Sequence, residues 1–191
     1  MVSHPPRPRH APADQPALET PRLVLRPFVP GDAAALTEAI GDERVARQTL
    51  SVPYPYPSGA AEAFIETCAA EWGEGKAVTW AITWRGDGTV VGAVAVRMAR
   101  RHRRGEVGYW LAVPMWGQGV MTEALATVVA YGFDALGLHR LEARIFPENA
   151  ASARVLTKCG FVREGTLRGA LWKENAPRDV LLYARLMTDA R

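Results

Sequence analysis

The sequence predicts an α+β fold, a central mixed, mostly antiparallel sheet of about seven strands with helices on both faces. Three observations predict it. Several short runs alternate apolar and polar residues with a period of two, as half-buried strands do. Two later runs repeat their apolar residues at helical spacing, and each closes on a glycine, Gly137 and Gly160. The order of these runs, β-α-α-β-β-β-α-β-α-β-β, places strands and helices in one chain without the regular alternation of a parallel α/β protein.

The 191 residues begin with a Pro-, His- and Arg-rich stretch that has almost no large apolar side chain. Residues 1–18 are therefore expected to form a disordered tail ahead of one domain over 19–191. RLVLRPF (22–28) alternates as a first strand, and GDAAALTEAIGD (31–42) reads as a short helix. SVPYPYPS (51–58) is broken by three prolines, and SGAAEAFIETCAAEW (58–72) is helical with Ser58 as its cap. In KAVTWAITW (76–84), Val78, Trp80, Ile82 and Trp84 share one face. The turn Gly86-Asp87-Gly88 joins that strand to VVGAVAVRMA (90–99) as a hairpin. GEVGYWLAV (105–113) is the next strand, and PMWGQG (114–119) opens the helix over 120–137. HRLEARIF (139–146) is a fifth strand and NAASARVLTKCG (149–160) a helix, before FVREGTLRG (161–169) and RDVLLYARLM (178–187) complete the sheet.

Composition excludes several classes. The net charge is only +3, with Lys confined to Lys76, Lys158 and Lys173, and the arginines are not interleaved with stacking aromatics, so direct nucleic-acid binding is not expected. No apolar run is long enough to cross a bilayer, and the first residues lack the apolar centre of a secretory signal. Cys68 and Cys159 fall in apolar helical patterns and suit a reducing compartment; with the two absences they point to the cytoplasm. The four histidines are scattered, so no metal-ligand cluster is expected.

The segment 105–125 carries the chemistry. A strand runs into a tight turn with Gly117 and Gly119 and straight into a helix. Such a turn aims consecutive N–H groups at one point, where the unpaired donors and positive dipole end of the helix add to them. The product is an anion site suited to a pyrophosphate.

This segment resembles the pyrophosphate-binding motif of the GNAT acyltransferases, Q/R-x-x-G-x-G/A. It reads Trp116-Gly117-Gln118-Gly119-Val120-Met121, with the middle glycine matched, Trp in place of Gln or Arg, and Met in place of the last small residue. WGQG followed by Thr122-Glu123-Ala124-Leu125, the opening TPRLVLRPF, EVGYWL, and NAASARVLTKCGFVREGTLR are similar to the RimJ/RimL-like branch, and the similarity covers about residues 20–187.

The resemblance implies an N-acetyltransferase that moves an acetyl group from acetyl-CoA to a primary amine, foremost the N-terminal α-amine of a protein such as a ribosomal protein. It implies that the pantetheine arm pairs with the strand around Leu111, Ala112 and Val113, and that the pyrophosphate lies on the amides from Gly117 through Gln118, Gly119, Val120 and Met121 to Thr122. Asn149 matches an asparagine that contacts pantetheine, though an N-cap alone would explain it. Ser152 matches a residue that assists the departing thiolate, with a surface serine of the first turn as the alternative, and Arg154, with Lys158, is within reach of phosphates, though a solvated helix face alone would explain the pair. Glu106, at the start of its strand, resembles the general base of several members; the alternative is pairing with Arg103 or Arg104. Tyr54 and Tyr56 of the proline-rich loop are expected at the acceptor mouth, with Trp172, Asp179 and Tyr183 on the same wall. A small amine or aminoacyl nucleotide as acceptor, a succinyl donor, and a non-catalytic acyl-CoA-binding module are the alternatives. The final strands could support a homodimer.

Overall fold

A computed structural model describes residues 14–189. The elements are β1 (Leu18–Glu19), β2 (Leu23–Arg26), α1 (Ala33–Ile40), α2 (Glu43–Gln48), α3 (Ala60–Gly73), β3 (Ala77–Trp84), β4 (Val90–Ala99), β5 (Arg104–Leu111), α4 (Val120–Asp134), β6 (Arg140–Ile145), α5 (Ala150–Lys158), β7 (Val162–Lys173) and β8 (Ala176–Leu186). The eight strands form one sheet in the order β1-β2-β3-β4-β5-β6-β8-β7, the additional strand being the two-residue β1. Every neighbouring pair is antiparallel except β5 and β6. α2 is a further helix that the sequence reading did not separate from its surroundings, and the Asp42 carboxylate caps it by accepting from the Arg44 N–H at 2.8 Å.

Burial follows the period of two. Val78, Trp80 and Ile82 pack with Val94, Leu125 and Val128 on the face covered by α4 and α5. Ala93 and Trp110 pack on the opposite face with Leu36, Ile40, Val45 and Ile65 from α1, α2 and α3. β3 is buried along nearly its whole length because helices cover both of its sides.

Part of the stretch expected to be a tail is tied to this sheet. The Trp80 indole N–H, buried in the core, donates to the Pro16 carbonyl at 2.8 Å, and Gln15 donates to the Thr79 carbonyl at 2.8 Å. The described chain is thus anchored from Gln15 onward, ahead of the expected boundary at residue 19. The remainder of the expected tail, residues 1–13, lies outside the described residues. No described helix is long and apolar enough to cross a membrane.

The turn after β2 rests on a largely buried ion pair. Both Arg26 Nη atoms donate to the Asp32 carboxylate, at 2.7 and 2.8 Å, and the Val29 N–H donates to it at 2.9 Å. Burial alone would raise the Asp32 pKa; the Arg26 fork and the Val29 amide outweigh it and hold the carboxyl below its ordinary value. Stability from this group is therefore full above the ordinary carboxylate range and is lost as pH falls through the depressed value. Asp32→Asn leaves the guanidinium without its counter-charge and is expected to cost about 3 kcal/mol in urea unfolding at neutral pH. The difference from the unsubstituted protein should narrow in acid.

Candidate active site

The two parallel strands diverge. β5 pairs with β4 along its whole length but with β6 only at Arg104, Gly105 and Glu106. The Ala112 N–H donates to the Val91 carbonyl of β4 at 2.9 Å, which fixes the phase of the ladder. The main-chain groups of Gly108 and Trp110 therefore turn toward β4, while those of Val107, Tyr109 and Leu111 turn toward the widening gap. At its end the Leu111 carbonyl is taken by the Trp116 indole N–H at 2.9 Å. Of the three residues expected to pair with a ligand arm, Ala112 thus has its N–H committed to β4 and Leu111 its carbonyl committed to Trp116. The Val113 carbonyl accepts from the Trp116 N–H at 3.1 Å. The Leu111 N–H and, one step earlier in the same phase, the main-chain groups of Tyr109 face the gap. The opening is a cleft of about 1050 Å³ lined from both faces of the sheet.

On one face the cleft meets the glycine turn. Gly117 and Gly119 have φ of 76° and 75°, the left-handed region that L side chains rarely adopt. Gly119 is the N-cap of α4 and no side chain caps the helix, so the Val120, Met121 and Thr122 amides lack a capping partner. The Val120 and Met121 side chains turn into the core, leaving the turn itself open. The Gln118 side chain folds back to the Pro114 carbonyl at 2.6 Å. Glu123, in the first turn, would repel an anion, but it is tied off. Its carboxylate accepts from Thr20 Oγ1 at 2.6 Å, the Arg22 N–H at 3.0 Å and Arg22 Nε at 2.7 Å. Burial would raise its pKa, and Thr20 and Arg22 outweigh burial and lower it. Arg22 also donates to the Gln118 carbonyl at 3.1 Å, which sets its guanidinium against the turn. Sequence reading placed Arg22 only in a strand; its link to Glu123 across the fold is a long-range contact with no local signal. Arg154 and Lys158, both exposed on α5, line the same side.

Asn149 caps α5, its Oδ1 accepting from the Ser152 N–H at 2.9 Å, while its Nδ2 crosses to the Gln48 carbonyl at the end of α2 at 3.0 Å. Its side chain is therefore both a helix cap and a tie between the two walls of the cleft. Ser152 is buried, and its Oγ lies 2.6 Å from the Tyr109 hydroxyl in a hydrogen bond either group can donate. Burial pushes the Tyr109 pKa well up, more than the Ser152 bond lowers it, so the hydroxyl keeps its proton at neutral pH. Tyr109 was not singled out from the sequence; it follows from the phase of β5, which points its side chain at α5. Tyr109→Phe removes one hydrogen-bond donor from this pair and should lower kcat about tenfold with little change in coenzyme affinity, measured by steady-state thiol release and calorimetry.

Glu106 lies on the other face, with Gly108 and Trp110. Neither Arg103 nor Arg104 pairs with it: Arg103 donates to the Gly137 carbonyl at 3.0 Å, and Arg104 lies 3.8 Å from Glu142. Its nearest charge is Arg144 of β6, at 3.9 Å, across the point where the strands part. The wall opposite comprises α2 and Thr49, Leu50 and Ser51. Lys173 holds this wall from the β7–β8 hairpin, donating to the Ala46 and Thr49 carbonyls at 2.7 and 2.5 Å.

The aromatic residues expected at this mouth are elsewhere. Tyr54 is exposed, and Tyr56 packs against the cluster of α1 and α3, neither lining the cleft. Trp172 is 73% exposed at the far end of β7, the Asp179 carboxylate accepts from the Gly169 N–H within the hairpin, and Tyr183 is in the core. Their positions follow from the hairpin register, which turns these side chains away from the gap.

The parallel strand pair thus opens beside an uncapped, glycine-led helix, an arrangement suited to an anionic ligand. The acetyltransferase (GNAT) domain family matches residues 22–162. The uncharacterised N-acetyltransferase YoaA of Bacillus subtilis (strain 168) is 35% identical over 170 residues, 88% of this chain and 96% of that protein. The ribosomal-protein-serine acetyltransferase of Escherichia coli (strain K12) is 32% identical over 91 residues, 48% of this chain and 51% of that one. The structure of Mycobacterium smegmatis RimJ in complex with CoA-disulfide superposes with a TM-score of 0.78 at 29% identity, covering 86% of this chain and 82% of that one. The chain belongs to the GNAT family of N-acetyltransferases.

Proposed function

We propose that the protein transfers an acetyl group from acetyl-CoA to the N-terminal α-amine of a protein acceptor. The observation that carries this reading is the opening between β5 and β6, with a hydroxyl pair on one face and a carboxylate on the other. Acetyl-CoA fits the face that holds the glycine turn. The unpaired amides of Val120 to Thr122, the open space beside Gly117 and the cations Arg22, Arg154 and Lys158 suit its phosphates. When bound it supplies the activated acyl thioester.

The protein's own groups then divide the work. The cleft holds amine and carbonyl together, which makes the step effectively unimolecular. Glu106, on the face of α1, α2 and α3, accepts the amine proton. Tyr109 and Ser152, on the opposite face, donate a hydrogen bond where the thiolate departs. Proton removal from the amine and hydrogen bonding to the leaving sulfur occur on opposite sides of the sheet.

The nature of the amine follows from energetics. At pH 7 deprotonating a lysine costs about 4.6 kcal/mol, against about 1.2 kcal/mol for an α-amine. A single half-exposed carboxylate suits the second. Relatives named for ribosomal-protein acetylation support a protein acceptor. The test is thiol release from acetyl-CoA with peptides carrying either a free N-terminus and blocked lysines, or the reverse. Release with the first set supports the reading; release confined to the second set, or to small amines, contradicts it.

A further inference from the structure

We propose that Arg144 is a receptor for a carboxylate carried by the acceptor, close to the nitrogen that is acylated. This rests on the acceptor entering from the face of Glu106, and it names the acceptor's chemistry.

The alternation of β6 sets the position. Leu141, Ala143 and Ile145 enter the core beneath α4 and α5, so Glu142 and Arg144 project from the acceptor face. Arg144 lines the cleft beside Glu106, just beyond the last paired residues of the two strands. It borders the space where the amine must lie if Glu106 is to take its proton.

Its bonding is incomplete. The guanidinium makes no hydrogen bond to another described residue, and its nearest carboxylates, Glu106 at 3.9 Å and Glu142 at 3.8 Å, lie beyond hydrogen-bond distance. Its Nε is buried without a partner. Arg140, on the same face of the same strand, shows what a satisfied guanidinium does there. It donates to both Glu164 oxygens at 2.8 and 2.6 Å and to Glu142 at 3.2 Å. Of the four buried side-chain atoms without a partner among the described residues, two line this cleft, Arg144 Nε and Gln48 Oε1. One is an orphan donor and the other an orphan acceptor. The Arg144 side chain as a whole is 38% exposed, so its fork stays open to a carboxylate in the cleft.

The charge of the surroundings selects the anion. Arg104, Arg140 and Arg144 are matched by Glu106, Glu142 and Glu164. A cluster that is already neutral tolerates a single added negative charge better than a phosphate dianion. The planar fork of arginine also matches a carboxylate geometrically.

The test compares peptide acceptors that differ only in Asp or Asn next to the N-terminal residue, with the unsubstituted protein, Arg144→Gln and Arg144→Lys. Free amino acids and their amides form a second arm, which separates an α-carboxylate from an acidic side chain. The Asp peptide, or the free amino acid over its amide, is expected to be favoured about tenfold in kcat/KM, the worth of one charge-assisted bond. The ratio should fall to near one in Arg144→Gln and lie between in Arg144→Lys, which keeps the charge and loses the fork.

A ratio near one in the unsubstituted protein in both arms, or one unchanged in both variants, overturns the inference while leaving the acetyltransfer reading intact. An Arg144-dependent preference for succinyl-CoA over acetyl-CoA, with no acceptor preference, also overturns it. If no amine elicits thiol release, the reading of the reaction fails. Calorimetric titration of the Asp and Asn peptides into the coenzyme A-loaded protein and Arg144→Gln then decides the inference alone, by whether an Arg144-dependent difference persists.

Discussion

In Gly119→Val, acetyl-CoA affinity is expected to fall at least about a hundredfold while the protein stays folded. Gly119 sits at φ 75° and caps α4. A β-branched residue is strained in that region, so the turn must rotate toward negative φ. The rotation redirects the amides that follow. Losing two hydrogen bonds to a charged ligand, at about 1.5 kcal/mol each, accounts for the hundredfold change. The fold should survive because a Cβ at this position meets only the Arg22 side chain, at 3.7 Å. Calorimetry with acetyl-CoA, alongside thermal unfolding, separates the two effects. Affinity retained in the folded variant would show that the turn does not hold the coenzyme.

Glu106→Gln should lower kcat about a hundredfold or more at pH 7, the usual contribution of a general base, with the coenzyme dissociation constant unchanged. The separation is predicted because Glu106 and the α4 amides lie on opposite faces of the sheet. Part of the deficit should persist as pH rises past about 8, because the nitrogen that has attacked the carbonyl still has a proton to lose even when the amine starts neutral. The kcat profile over pH checks this. Full turnover at pH 7 would remove Glu106 from the proton path and leave it as the partner of Arg144.

What the sequence revealed depended on the range of the interactions. Strands such as Ala77–Trp84 and helices such as Val120–Asp134 write their period into consecutive residues, and the glycine turn is a local feature of the backbone. Asn149 and Ser152 were legible because one helical turn joins them. α2 was missed because six residues, Glu43–Gln48, carry less than two turns of pattern. Tyr109, Arg144, Arg22 and Lys173 owe their roles to partners tens of residues away, brought near by the divergence of β5 from β6 and by the β7–β8 hairpin. The aromatic residues at Tyr54, Tyr56 and Trp172 were expected at the acceptor mouth from composition and resemblance, neither of which states the direction in which a ring points.

Amide spectra of the nitrogen-labelled protein, recorded as coenzyme A is added, test the central claim most directly. The largest shifts and the greatest gain in exchange protection should fall on Gly119, Val120, Met121 and Thr122. Saturable binding that leaves those four amides unperturbed, or no binding at all, would contradict the account.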